Sequence, residues 1–89
     1  MSLGFNENFY FEVTDLFGGQ ANYAWVSRYK VKSSSMRGAI TKLARHTGLN
    51  FRWDGLRYVT KSRDICAYDM SDDGLTSDEL ETHYTFETI

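Results

Sequence analysis

Ala21-Asn22-Tyr23-Ala24-Trp25-Val26-Ser27-Arg28-Tyr29-Lys30-Val31-Lys32 is the stretch that decides the fold class. In an extended chain, Tyr23, Trp25, Tyr29 and Val31 fall on one face. Asn22, Ala24, Val26, Arg28, Lys30 and Lys32 fall on the other. Side chains of a strand alternate between faces, so a period-two pattern rich in aromatic and β-branched residues predicts a half-buried strand. The first face belongs to a core; the far end of the second is wholly basic. Upstream, Phe9, Phe11 and Val13 alternate with Tyr10, Glu12 and Thr14, which predicts another strand over 9–17. Gly18-Gly19-Gln20 breaks that run. Glycine tolerates positive φ, so the two strands read as a hairpin.

Downstream the period changes. Ser33-Ser34-Ser35 suits a helix start, because a serine hydroxyl accepts from an unsatisfied first-turn N–H. Met36, Ile40, Leu43 and Thr47 then recur at helical spacing, with Ala39 and Ala44 beside them. Arg37, Thr41, Lys42 and Arg45 lie on the opposite face, and Gly48 is a fitting stop. Gly38 falls on the exposed face with no evident packing reason, although glycine costs about 1 kcal/mol relative to alanine there. Leu49, Phe51 and Trp53 alternate with Asn50 and Arg52, and Asp54-Gly55 is a two-residue hairpin signal. Leu56, Tyr58 and Thr60 give a fourth strand and Ile65 to Tyr68 a fifth.

The reading is an α+β fold in two layers, one helix packed on an antiparallel sheet, in the order β-β-α-β-β-β with an acidic C-terminal segment. Residues 1–70 form one domain. Residues 71–89 are left as a short helix (capped by Ser77), a late strand or a partly disordered tail. Phe9, Phe11, Trp25, Tyr29, Phe51, Trp53 and Tyr58 are expected beneath the helix, facing Met36, Ile40 and Leu43.

Composition bounds the chemistry. The chain has 89 residues, of which 42% are hydrophobic, too apolar for full disorder. Stability of about 4–13 kcal/mol is expected at this length. One cysteine excludes an intramolecular disulfide or a cysteine-based zinc centre. No run nears the roughly 20 apolar residues of a membrane span. Residues 1–7 lack the basic-then-apolar order of a secretory signal. A cytoplasmic protein is expected, with no membrane contact.

The net charge of −2 conceals a division. Residues 1–63 hold all ten Lys and Arg and four acids, net +6; residues 64–89 hold eight acids and no Lys or Arg, net −8. Such asymmetry accompanies polyanion surfaces, or it draws the two parts together within the fold. Alternation puts Arg28, Lys30 and Lys32 on the sheet face away from the helix. Arg52, Arg57 and Lys61 are expected to share it, with Tyr10 as an aromatic platform. Such a face tracks phosphates and stacks a base. Arg37, Lys42 and Arg45 make a second basic surface on the outer helix face.

Catalysis finds little support. Cys66, His46 and His83 are the only thiol–imidazole candidates, and Cys66 lies in a strand-like run where thiols are usually buried and inert. No nucleophile elbow, phosphate loop or dinucleotide fingerprint occurs. No catalytic residue, resident metal or cofactor is assigned, and the protein is read as a non-enzyme. One weak calcium-loop hint remains: Asp69, Ser71, Asp73 and Ser77 stand at positions 1, 3, 5 and 9 of an EF-hand-like loop, with glycine at position 6. Leu80 stands where the closing glutamate belongs.

Phe9 to Tyr29, FYFEVTDLFGGQANYAWVSRY, resembles the start of small uncharacterised proteins encoded by bacteriophages and prophages. The resemblance covers about a quarter of the chain. It implies a phage accessory protein in the bacterial cytoplasm and no particular activity. Two functions are therefore carried forward. One is a binding module whose basic sheet face contacts nucleic acid or another polyanion. The other is a protein–protein module, such as an inhibitor of a host enzyme or defence complex, acting through the acidic segment or an exposed aromatic edge. A free edge strand also permits a homodimer.

Overall fold

In the computed structural model, residues 6–89 are described. The residues 1–5 read above for a signal lie outside them. The chain forms a small α+β domain. Its elements are β1 (Glu7–Phe17), β2 (Gln20–Ser33), α1 (Met36–Thr47), β3 (Phe51–Trp53), β4 (Tyr58–Thr60) and β5 (Ile65–Asp69). A 3-10 turn (Met70–Asp73), α2 (Ser77–His83) and β6 (Glu87–Thr88) follow. The β-β-α-β-β-β order expected from the sequence is present. The six-stranded sheet runs β3-β4-β5-β1-β2-β6 and is mixed, because β6 pairs with β2 in parallel.

The first hairpin is the backbone of the fold. Phe17 pairs with Gln20 across Gly18 and Gly19, whose φ values of 64° and 82° suit a tight turn of primed type. Phe9, Phe11 and Val13 stand opposite Val31, Tyr29 and Ser27. Phe11, Val13 and Val31 pack with Ala67 of β5 and with Ala39 and Leu43 of α1. The helix starts at its cap, where Ser35 Oγ accepts from Gly38 N at 3.0 Å, and stops at left-handed Gly48. The second hairpin has a four-residue loop in place of the two-residue turn. Asp54 Oδ1 accepts from Leu56 N and Arg57 N at 2.9 and 3.0 Å, closing the loop with a side chain.

Three findings differ from the expectations or add to them. Trp25 and Trp53 are 42% and 57% exposed, not hidden under α1. Val13, opposite Ser27, is the last β1 residue in the α1 core, and Trp25 lies beyond it. Trp53 ends the edge strand, with its ring against Tyr58 at 5.0 Å. Gly38 does have a packing reason: a Cβ there would stand 2.5 Å from Ser33 Oγ. Finally, the C-terminal segment builds a second, smaller core on the reverse face. Leu80 of α2, Met70 and Tyr10 are buried together, with Leu75, Tyr84 and Phe86 packed around them. Phe11 and its neighbour Tyr10 thus face opposite cores, one under α1 and one under α2.

Candidate binding face

Register places the expected cations as follows. Arg28 and Lys30 stand across from Glu12 and Tyr10, on the face away from α1. Lys32 lies farther along β2, opposite Asn8. Arg52 shares the face through the pairings Arg52–Val59, Val59–Cys66 and Cys66–Thr14. Arg57 reaches it through Tyr68, whose hydroxyl accepts from Nη1 at 3.1 Å. Lys61 falls in the turn after β4, beside a shallow hollow lined by Gly48, Asn50 and Ser62.

The acidic segment lies on this face, and it uses several of these groups. Glu81 Oε1 meets Lys30 Nζ at 3.0 Å, and Glu81 Oε2 accepts from the Tyr10 hydroxyl at 2.5 Å. Tyr10 is 2% exposed, with its ring edge-on to Phe86 at 5.0 Å. It is therefore part of a core and offers no open platform for a base. Burial, seconded by Glu81, pushes its hydroxyl pKa up. The bonds from Tyr10 and Lys30 hold the Glu81 carboxyl below its ordinary range. Arg28 Nε pairs with Glu12 Oε2 at 3.1 Å, and its guanidinium sits 4.7 Å over the Tyr84 ring. Arg57 Nη2 donates to Gly19 O at 2.5 Å, which ties the second hairpin to the tip of the first. Hydrogen bonding to Tyr68 raises the Arg57 pKa further. Lys32, Arg52 and Lys61 have no acidic partner among the described residues. Attraction between the two oppositely charged parts thus occupies Lys30, while Arg28 is taken up by Glu12 of its own part and by the Tyr84 ring.

The sheet separates what charge remains. The twelve residues of α1 include Arg37, Lys42 and Arg45 and no acid. These three have no acidic partner among the described residues; Lys42 Nζ donates to Lys32 O at 2.5 Å. On the reverse side, α2 carries Asp78, Glu79 and Glu81 and no Lys or Arg. One helix is a cationic ridge and the other an anionic one.

Cys66 is fully buried, and burial pushes its thiol pKa up, so the thiol stays protonated near neutral pH. His46 belongs to the other side, where it meets Glu87 at 2.6 Å and the Tyr29 ring at 5.6 Å. The described residues lend the calcium loop no support. Both bonds from Ser71, N and Oγ, end on Asp69 Oδ1, Ser77 begins α2, and Leu80 is buried against Tyr10. The Asp73 side chain lies outside the described residues. Among those described, no three His, Cys, Asp or Glu side chains group to hold a metal ion. No helix among the described residues is long and apolar enough to cross a membrane.

A feature the sequence reading misses lies near the hairpin tip. Tyr23 has φ +57°, a conformation that costs a non-glycine residue about 1 kcal/mol or more. The register slips here, between Thr14 and Leu16. The Asp15 carboxylate spans the irregularity, accepting from Asn22 Nδ2 and Ala24 N, each at 2.9 Å. The Asn22 bond, above all, holds the Asp15 carboxyl below its usual range. The visible signal is Asp15 and Asn22 standing on either side of Gly18-Gly19.

The chain matches no family model, no curated protein and no solved structure.

Acid should loosen this fold. Asp15, Asp54, Asp64, Glu79 and Glu81 all have pKa values lowered chiefly by hydrogen bonds to the folded chain. A lowered folded pKa adds stability above the unfolded value and loses it as pH falls through the folded one. The thermal midpoint, followed by circular dichroism, should therefore fall steadily from about pH 5 to about pH 3. The fall should be shallower in Asp15→Asn. A flat profile would mean that these bonds contribute nothing.

Proposed function

We propose that this protein is a small binding module, without a reaction of its own, that engages another protein through the distal ends of its two hairpins. The observation that supports this is the location of the exposed large hydrophobic side chains. Phe17 (78%), Tyr23 and Trp25 lie on the first hairpin, and Trp53 and Leu56 (86%) on the second. The bond from Arg57 to Gly19 O holds the two hairpins together. Apolar groups kept in water, with aromatic residues among them, are the usual anchors of an interface. The resemblance of residues 9–29 to phage-encoded proteins is consistent with a host protein as partner.

A second reading has its own observation. Arg37, Lys42 and Arg45, none of them paired with an acid among the described residues, form a cationic ridge on α1, which suits a polyanion such as nucleic acid. This relocates the polyanion contact from the sheet to the helix.

One experiment separates the two readings. The full chain is used as bait in a nuclease-treated bacterial lysate and compared with Phe17→Ser/Trp25→Ala and with Arg37→Glu/Lys42→Glu/Arg45→Glu. Under the first reading a stoichiometric protein partner is retained by the helix variant and lost by the hairpin variant. Loss only in the helix variant, with binding to generic DNA or RNA at low salt, would replace the first reading with the second.

A further inference from the structure

The outer edge of β2 is covered only in part. On one side its fourteen residues pair with β1; on the other they meet β6 at Tyr29 and Lys30 alone. Lys30 O accepts from Ile89 N at 2.9 Å, so the backbone groups of Lys30 face outward. Alternate residues of a strand bond to opposite neighbours, and the β1–β2 register is unbroken from Val26 to Ser33. The N–H and C=O of Val26 therefore face the same outer edge. Trp25 faces β1, where its carbonyl accepts from Thr14 Oγ1 at 2.8 Å. Farther along the edge, Lys32 O accepts from Lys42 Nζ at 2.5 Å. Among the described residues, no strand pairs with Val26 on the outer side and no loop or side chain bonds to its backbone. We infer that a second copy of this chain closes the gap, its β2 pairing antiparallel with this one about a two-fold axis at Val26.

The bounds of the gap select the occupant. Tyr23, at φ +57°, ends the regular ladder on one side, and β6 begins opposite Tyr29 on the other. Between them stand Ala24, Trp25, Val26, Ser27 and Arg28, with Val26 at the centre. A two-fold axis between antiparallel strands sets one residue opposite its own copy. With Val26 there, each Val26 N–H donates to the other copy's Val26 C=O, Trp25 stands across from Ser27, and Ala24 across from Arg28. Both copies then stop at the same two ends. An axis at Ser27 would set Tyr29 against Trp25 and evict β6. An axis at Trp25 would draw the left-handed Tyr23 into the ladder. Charge permits the pairing. Residues 20–27 carry none, and Arg28 meets an alanine while already held by Glu12 at 3.1 Å. Edges that avoid pairing are short or charged. The opposite edge, β3, is such a strand, three residues long with Arg52 in the middle. Side chains fit as well. Trp25, 42% exposed, faces a small serine, and the two indoles become diagonal neighbours, about 7–8 Å apart by strand geometry. The inference stands apart from the function proposed above: the second copy covers Trp25 and leaves Phe17, Trp53 and Leu56 for another protein.

Sedimentation equilibrium of the full chain, from about 5 to about 500 μM, should show a reversible monomer–dimer equilibrium, weak because so short a ladder lies at the low end of interface sizes. Amide exchange at Val26 should slow as concentration rises, whereas the Ser27 amide, which faces Val13 of β1, is protected throughout. Val26→Pro removes an N–H that β1 does not use, a change edge strands tolerate, and should weaken association by about tenfold or more. Val26→Lys is the second route, with circular dichroism reporting the fold of both variants. Two ammonium groups would then face each other across the axis, weakening the dimer by about tenfold, with part of the loss recovered at about 1 M salt. Trp53→Ser, at the opposite edge, should leave the dimer unchanged. A monomer over the whole range would overturn the inference. So would a dimer that survives both Val26 variants, or one that is lost in Trp53→Ser while the Val26 amide exchanges freely at every concentration.

Discussion

Leu80→Ala should remove about 2–5 kcal/mol of stability, out of a total of about 4–13 kcal/mol for a chain of this length. The expectation rests on geometry. Leu80 is 0% exposed, although the segment around it, Ser77 to His83, is otherwise hydrophilic. Its side chain fills a core with Tyr10 and Met70 on the sheet face that α1 leaves open. Truncation to alanine loses the transfer energy of the missing carbons and opens a cavity that Leu75, Tyr84 and Phe86 close only in part. Urea unfolding would measure it as a lowered midpoint with little change of slope. Salt separates packing from charge. The Leu80→Ala loss should be the same at low and high ionic strength, whereas the Lys30–Glu81 pair, largely exposed on the Glu81 side, is screened. A loss below about 0.5 kcal/mol, the size of an ordinary surface change, would mean that the acidic segment only rests on the sheet and that Tyr10 is available to a ligand after all.

That segment marks where sequence reading stops. Elements set by neighbours in the chain are legible. The alternation of β2, the Gly18-Gly19 turn, the Ser35 cap and the Gly48 stop each follow from a few adjacent residues, and each is in the structure. The start of α2 also carries a local signal, in Thr76-Ser77-Asp78-Glu79. Thr76 caps Glu79 N at 3.2 Å while Glu79 returns a bond to Thr76 N at 2.9 Å, a reciprocal cap one residue before the expected Ser77. What that helix packs against is not local. Glu81 finds Tyr10 and Lys30, and Phe86 finds Tyr10, across most of the chain. Charge segregation hints at such a return without giving a register. The candidate site divides in the same way. Strand parity places Arg28 and Lys30 on the correct face, but whether they remain available depends on Glu12, Glu81 and Tyr84, which only the tertiary fold brings to them.

Gly38→Ala should destabilise the protein by about 1–2 kcal/mol, even though alanine is the better helix former by about 1 kcal/mol. The added Cβ would stand 2.5 Å from Ser33 Oγ and 3.3 Å from Ser35 Oγ. Neither oxygen moves freely. Ser33 is buried at the end of β2, and Ser35 Oγ holds the helix cap by accepting from Gly38 N. Ser33→Ala removes the nearer oxygen and leaves its own Cβ at an ordinary contact of 3.9 Å. In that background Gly38→Ala should become about neutral, because the gain in propensity is opposed only by the 3.3 Å approach to Ser35 Oγ. The coupling in a double-mutant cycle, about 1–3 kcal/mol, isolates the clash from every effect the two single changes share with the unfolded chain. A coupling near zero would show that Ser33 turns aside without penalty. Strand end and helix start would then not be locked together. This contact bears on function because it fixes how α1 leaves β2, and so the direction in which Arg37, Lys42 and Arg45 project from the sheet.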